Sequence, residues 1–186
     1  LLGGDYRLEC CFQIAVRQES GEPQTVHVEV ETPTGITACV RRVGYVPMLH
    51  HNTPLIPEDT DGLDMIPGYV PDPLFDESEL QLPTAETHAF WITLNSTRRA
   101  DPGIHSIQVR IFPETGRARN HTVKLVLHDV ALRPRKQFPI TQWFYNDALL
   151  DYYGCTAFDE RFWEILPAYF RNMSEHGQDT VYTPVF

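Results

Sequence analysis

Between Tyr6 and Leu132 apolar residues return at every second position, and this alternation constrains the chain more than any other feature. Leu8, Cys10, Phe12, Ile14 and Val16 form one run, Val26, Val28 and Val30 a second, and Ile36, Ala38 and Val40 a third. Phe90, Ile92 and Leu94 follow, then Ile107, Val109 and Ile111, then Val123, Leu125 and Leu127, with Val130 and Leu132 beyond. Successive side chains of a strand point to opposite faces, so each run reads as a strand with one buried and one wet face. Turn residues separate the runs: Ser20-Gly21-Glu22-Pro23, Pro33-Thr34-Gly35, Asp101-Pro102-Gly103 and Pro113-Glu114-Thr115-Gly116. Six or more short strands punctuated in this way predict a mainly β, antiparallel sandwich over residues 1–133.

Residues 46–85 interrupt the pattern, holding seven of the 15 prolines and little periodicity. That is too long for an ordinary connection, and it predicts an ordered excursion packed on something else.

After a short basic linker, residues 134–138, the periodicity changes. Ile140, Gln142 and Phe144, alternating with Thr141, Trp143 and Tyr145, predict a short strand, followed by a polar stretch from Asn146 to Thr156. Asp159 then has the character of a helix N-cap, with Phe158 and Trp163 spaced as a hydrophobic staple. Trp163, Leu166, Phe170 and Met173 recur at helical spacing, Pro167 interrupts them, and Gly177 stands where the helix should end. A second strand is expected over Thr180–Phe186. Strand, helix and strand in residues 139–186 predict one crossover unit with parallel strands. Two parallel strands form no stable layer alone, and 12 of the chain's 21 aromatic residues fall in this segment. The expectation is that the unit is unfinished and is completed by further chain or by a second copy.

The charge balance narrows the partners. Fifteen Lys and Arg stand against 25 Asp and Glu, a net of −10, so neither nucleic acid nor an anionic membrane is an expected partner. No apolar run approaches the ~20 residues of a membrane span. The segment Leu1-Leu2-Gly3-Gly4-Asp5 has no signal-peptide character, which leaves the compartment open with the cytoplasm favoured over export. Cys10, Cys11, Cys39 and Cys155 include no C-x-x-C pair, and buried free thiols are expected, with a Cys39 bridge to Cys10 or Cys11 open if their strands abut. No G-x-G-x-x-G, P-loop, H-E-x-x-H or G-x-S-x-G is present, and no cofactor is expected.

Several stretches resemble a known family. Pro71-Asp72-Pro73-Leu74, Phe90-Trp91-Ile92-Thr93-Leu94 and Ala100-Asp101-Pro102-Gly103 resemble the N-terminal sandwich of glycoside hydrolase family 123 and the related domain of unknown function 4091. Gln142-Trp143-Phe144-Tyr145-Asn146-Asp147, Tyr152-Tyr153-Gly154, Phe158-Asp159-Glu160-Arg161-Phe162-Trp163, His176-Gly177 and Thr183-Pro184-Val185-Phe186 resemble the opening of that family's catalytic barrel. The resemblance implies a β-sandwich followed by a (β/α)8 barrel that cleaves glycans, in characterised members by substrate-assisted chemistry beside an N-acetylated amino sugar. The adjacent Asp and Glu that perform it come from a later strand in that family. No residue here matches them, so no catalytic residue is assigned and the chain by itself is expected to be inactive.

The residues expected to meet a carbohydrate ligand are Trp143, Tyr145 and Asp147, at the carboxyl end of the first barrel strand, where barrel active sites are built. Aromatic planes stack on pyranose rings and a carboxylate accepts from hydroxyls. The competing reading has Trp143 filling the barrel interior and Asp147 capping a turn. Asp147 with Asp151 as a hydrolytic carboxylate pair is weaker than two solvated loop acids. His50 and His51 near Glu58, Asp59, Asp61 and Asp64 are read as a solvated acidic loop and not as a metal site. A non-catalytic carbohydrate-binding or protein-interaction sandwich is the alternative function. Homo-oligomerisation through the exposed C-terminal aromatics around Trp163 and Phe170 is a further expectation.

Overall fold

The computed structural model describes residues 8–19, 21–49, 68–97, 100–130 and 138–182, with only the backbone of Leu8, Gln142, Trp143 and Tyr182. The chain divides into two compact units, Leu1–Leu132 and Arg133–Phe186.

Among the described residues the first unit holds eight strands, six of them from the period-two runs: β1 (Leu8–Arg17), β2 (Gln24–Glu31), β3 (Ile36–Met48), β4 (Gly68–Phe75), β5 (Glu79–Leu82), β6 (Thr87–Ser96), β7 (Gly103–Pro113) and β8 (Arg119–Leu127). They form two antiparallel four-stranded sheets, ordered β1-β6-β3-β4 and β5-β2-β7-β8. Phe90, Ile92 and Leu94 of β6 are at most 2% exposed and oppose Val26 and Val28 of β2 and Ile107 and Val109 of β7 in one core. Burying such side chains is worth about 1.5–3 kcal/mol each, which is why the alternation reads out directly as sheet faces.

The proline-rich excursion supplies β4 and β5, two ordinary strands that the prolines concealed. Pro71 and Pro73 sit in β4, which pairs only with β3 and so tolerates residues that cannot donate to a ladder. The register shifts between Val43 and Tyr45, where Gly44 lies against Phe75 and Pro73. His50, His51, Glu58, Asp59, Asp61 and Asp64 lie outside the described residues.

The thiols correct the sequence expectation. Cys10 and Cys11 are exposed and Cys39 is half-buried, because β1 is an edge strand and Cys11 and Cys39 face outward. β6 runs between β1 and β3, so the bridge left open above does not form, and all four cysteines are free.

The second unit comprises β9 (Thr141–Trp143), α1 (Asp147–Tyr153), α2 (Glu160–Glu175) and β10 (Thr180–Tyr182), with β9 and β10 parallel. The polar stretch after β9 is in part a helix. Leu149, Leu150 and Tyr153 face the small core at i, i+1 and i+4, and Gly154 closes α1 in the left-handed conformation with φ 59°. α2 begins as its sequence implies: Asp159 accepts from the Phe162 N–H at 2.7 Å and, through its other oxygen, from the Thr156 N–H at 2.9 Å. It ends in a Schellman motif, with Gln178 N–H to the Met173 carbonyl at 3.0 Å, Gly177 N–H to the Ser174 carbonyl at 3.1 Å, and Gly177 at φ 90°. The buried face differs from the predicted one by a single step. Phe162 and Leu166 are buried, whereas Trp163 is 53% exposed, because its ring closes the staple over Phe158 at 5.9 Å.

Candidate functional site

The parallel pair is pinned at its amino edge. Asp179 accepts the Ile140 N–H at 2.8 Å through its side chain, and the Ile140 carbonyl accepts from the Asp179 and Thr180 N–H groups at 3.2 Å each. Thr180 is thereby registered with Thr141, and Tyr182 with Trp143, so the carboxyl ends of both strands are level.

Beyond that carboxyl edge stand the residues singled out above. Trp143 is the last residue of β9, and its side chain lies outside the described atoms. Tyr145 is 51% exposed, and Asp147 is exposed in the first turn of α1. The backbone thus brings the three positions to one edge, with Tyr145 and Asp147 open to solvent. Asp151 lies one turn after Asp147 on the exposed side of α1 and not on a loop, so the two carboxylates share a helix face rather than flanking a cleft.

Asn146 stands between Tyr145 and Asp147, in the polar stretch that follows β9. Its carbonyl accepts from the Leu149 and Leu150 N–H groups at 2.9 and 3.1 Å, which starts α1, while its buried side-chain Oδ1 meets no hydrogen-bond partner among the described residues. Only the Asn before a helical run hinted at this role.

An aromatic layer holds the edge from behind. The Phe144 ring lies 6.0 Å from those of Tyr169 and Phe170, and the Tyr169 hydroxyl meets the Tyr153 hydroxyl at 3.0 Å. That hydrogen bond, together with partial burial, pushes the Tyr169 phenol up to about 12.

Tyr169 and Phe170 of α2 lie beside Phe144, just past the carboxyl edge. The start of the same helix carries a second aromatic pair. There Phe158, at φ 67°, and Trp163, whose indole N–H donates to the Phe158 carbonyl at 3.1 Å, present two rings that are each 53% exposed. The spacing of Phe158 and Trp163 made their contact legible, and the exposure expected around Trp163 extends to Phe158 as well.

Chemically, the edge offers aromatic faces for stacking and a carboxylate that accepts from hydroxyls. Among the described residues no group of three or more His, Cys, Asp or Glu is placed to hold a metal ion, and no helix is long and apolar enough to cross a membrane.

No family model matches the chain, and no curated protein does. Among solved structures it is similar to a family 123 glycoside hydrolase from Clostridium perfringens, described as hydrolysing glycolipid glycans. The TM-score is 0.69 at 13% identity, covering 93% of this chain and 31% of that one. An extracellular fragment of EsaA from Streptococcus gallolyticus aligns with a TM-score of 0.33 at 12% identity, over 65% of this chain and 24% of that one. The chain thus has the fold of about a third of a family 123 glycoside hydrolase, and the likeness is one of fold.

Proposed function

We propose that this chain is the N-terminal part of a glycoside-hydrolase-like protein, a β-sandwich followed by the opening strand–helix–strand of a (β/α)8 catalytic barrel. The observation that carries the reading is the fold likeness to a family 123 glycoside hydrolase over 93% of the chain. It joins the motif resemblance that runs from Pro71 to Phe186. The parallel β9–β10 pair supports it, since parallel strands are ordinarily covered on both faces by neighbouring units. So do Phe138, Tyr145, Tyr152, Phe158 and Trp163, each at least half exposed in a unit whose own buried core is Leu149, Phe162 and Leu166.

In this reading Trp143, Tyr145 and Asp147 line the rim of a glycan pocket, the aromatic rings stacking on sugar faces and Asp147 accepting from hydroxyls. The substrates are glycans containing N-acetylated amino sugars, and the reacting carboxylates belong to a later barrel strand. The test begins with the reading frame, which should continue past the codon for Phe186 into further strand–helix units. The protein so encoded should cleave aryl N-acetylhexosaminides, and the 186-residue chain should not. Tyr145→Ala or Asp147→Asn in the longer protein should raise KM about tenfold, the loss of one stacking or charged hydrogen-bond contact. Turnover by the 186-residue chain, or an inactive longer protein, overturns the reading.

One observation favours a non-catalytic sandwich that binds carbohydrate or protein: the first unit has a complete core of its own. A stop codon directly after Phe186 would select that alternative. The exposed Phe158 and Trp163 also carry the expectation of self-association through the second unit, which light scattering at rising concentration reads directly.

A further inference from the structure

Among the described residues, each sheet of the sandwich lacks an outer neighbour over half of one strand, and the two gaps face each other. β4 pairs with Arg42–Met48 of β3, and β5 pairs with Gln24–His27 of β2. Among the described residues, nothing flanks the first half of β3 or the second half of β2 on that side.

The direction of the backbone groups follows from bonds at the borders of the gap. The Val28 N–H donates to the Ser78 carbonyl at 2.8 Å, so the backbone groups of Val28 face away from β7. Alternation turns those of Val30 the same way, one step past the end of β5. On β3 the Ile36 N–H donates to the Pro33 carbonyl at 3.1 Å, and the Ile36 carbonyl accepts from the Thr32 hydroxyl at 2.7 Å. Ile36 therefore faces away from β6, and Ala38 and Val40 follow it. Val30, Ala38 and Val40 hold their N–H and C=O groups toward the gap, and their side chains are only half-buried against the core.

Between them lies a cleft of about 410 Å³, lined by Val28, Val30, Ala38 and Val40, with Glu29 and Glu31 at its rim. Paired donors and acceptors at strand spacing are the complement of another polypeptide backbone, and a sugar does not supply them in that order. A strand added beside Val30 points its central side chain into the apolar slot and its neighbours outward, level with Glu29 and Glu31. Glu31 is already paired with Arg110 at 3.0 Å on the β7 side and Glu29 meets the His27 ring at 3.4 Å, so Glu29 is the carboxylate that most favours a basic cross-strand neighbour. The net charge of −10 adds to that preference.

We propose that this cleft binds an extended peptide by adding a strand to β2 at Val30, with one aliphatic side chain between Val30 and Val40 and basic residues on either side of it. The probe is the synthetic peptide acetyl-Lys-Lys-Val-Lys-Ile-Lys-amide, titrated into the isotope-labelled 186-residue chain and followed by amide chemical shifts. Saturable shifts centred on Val28, Val30, Ala38 and Val40 are expected. N-methylating the central Val of the peptide removes one ladder bond and should weaken binding about tenfold. Ala38→Phe, which fills the slot and leaves the backbone edge in place, should weaken it to a similar degree. If that variant does not fold, the N-methylated peptide decides the matter on the unaltered protein. Shifts elsewhere, or affinity indifferent to N-methylation, overturn the proposal. So does competition by chitotriose for the same amides, or occupation of the gap by a second copy, seen as shifts that depend on protein concentration alone.

Discussion

Cys11 and Cys39 are both registered opposite Thr93, one from each side of β6. The Cys11 thiol lies 3.6 Å from the Thr93 hydroxyl, and the two cysteines stand two strand spacings apart, about 10 Å. A disulfide requires Cα atoms within about 7 Å, so closing one would tear β6 from the sheet. Mild oxidation should leave no intramolecular bridge between these cysteines. A thiol-reactive dye should label Cys10 and Cys11 rapidly in the folded protein and Cys39 and Cys155 more slowly. A Cys11–Cys39 bridge found by mass spectrometry would contradict the strand order.

At Gly44 of β3 the side chains of Phe75 and Pro73 in β4 approach the backbone closely. A Cβ there would collide with Cε2 of Phe75 and lie 3.0 Å from Cγ of Pro73. The Phe75 ring is held by the Arg42 guanidinium 4.4 Å from its centroid, and Arg42 is itself paired with Glu77. Gly44→Ala should therefore destabilise the sandwich by about 1–3 kcal/mol, the usual cost of overpacking, as read from urea unfolding. Phe75→Ala in the same chain should recover much of that loss, since it removes the atom in conflict. An unchanged urea midpoint in the single variant would mean that the ring moves freely.

Asp159 governs the acid response of α2. The N–H groups of Phe162 and then Thr156 hold its carboxyl below the ordinary value of 3.8. A depressed carboxyl stabilises the folded form above its unfolded value, and the contribution is lost as pH falls through the folded value. Helical ellipticity and the thermal midpoint should both decline below about pH 4. Asp159→Asn should flatten that part of the decline while keeping a neutral acceptor, and Asp159→Ala should lower the midpoint at every pH.

Tyr169 governs the alkaline side. Its phenol, raised to about 12 chiefly by the hydrogen bond with Tyr153, is favoured in its neutral form when folded. That stabilisation is complete below the ordinary value near 10 and is lost as pH climbs toward 12. Absorbance titration of tyrosinate should show Tyr169 ionising last of the eight tyrosines, with Tyr45, which burial also pushes up, ahead of it. Tyr153→Phe should return it toward 10 and remove the matching alkaline loss of stability.

Much of this architecture can be read along the chain because the signals are local. A residue at i and another at i+2 share a sheet face whatever lies opposite, so Phe90, Ile92 and Leu94 declare a buried face unaided. Asp159 and Gly177 announce the two ends of α2 for the same reason: a cap needs only its own first or last turn. The prolines of β4 hid a strand, since their tolerance depends on pairing along one side only.

What distant segments do to one another was left to the tertiary structure. It set β6 between Cys11 and Cys39, turned Trp163 outward over Phe158, buried Oδ1 of Asn146, and left Val30, Ala38 and Val40 facing a gap among the described residues. Those outcomes depend on which strands become neighbours, a choice made by the whole core at once. No window of sequence contains it.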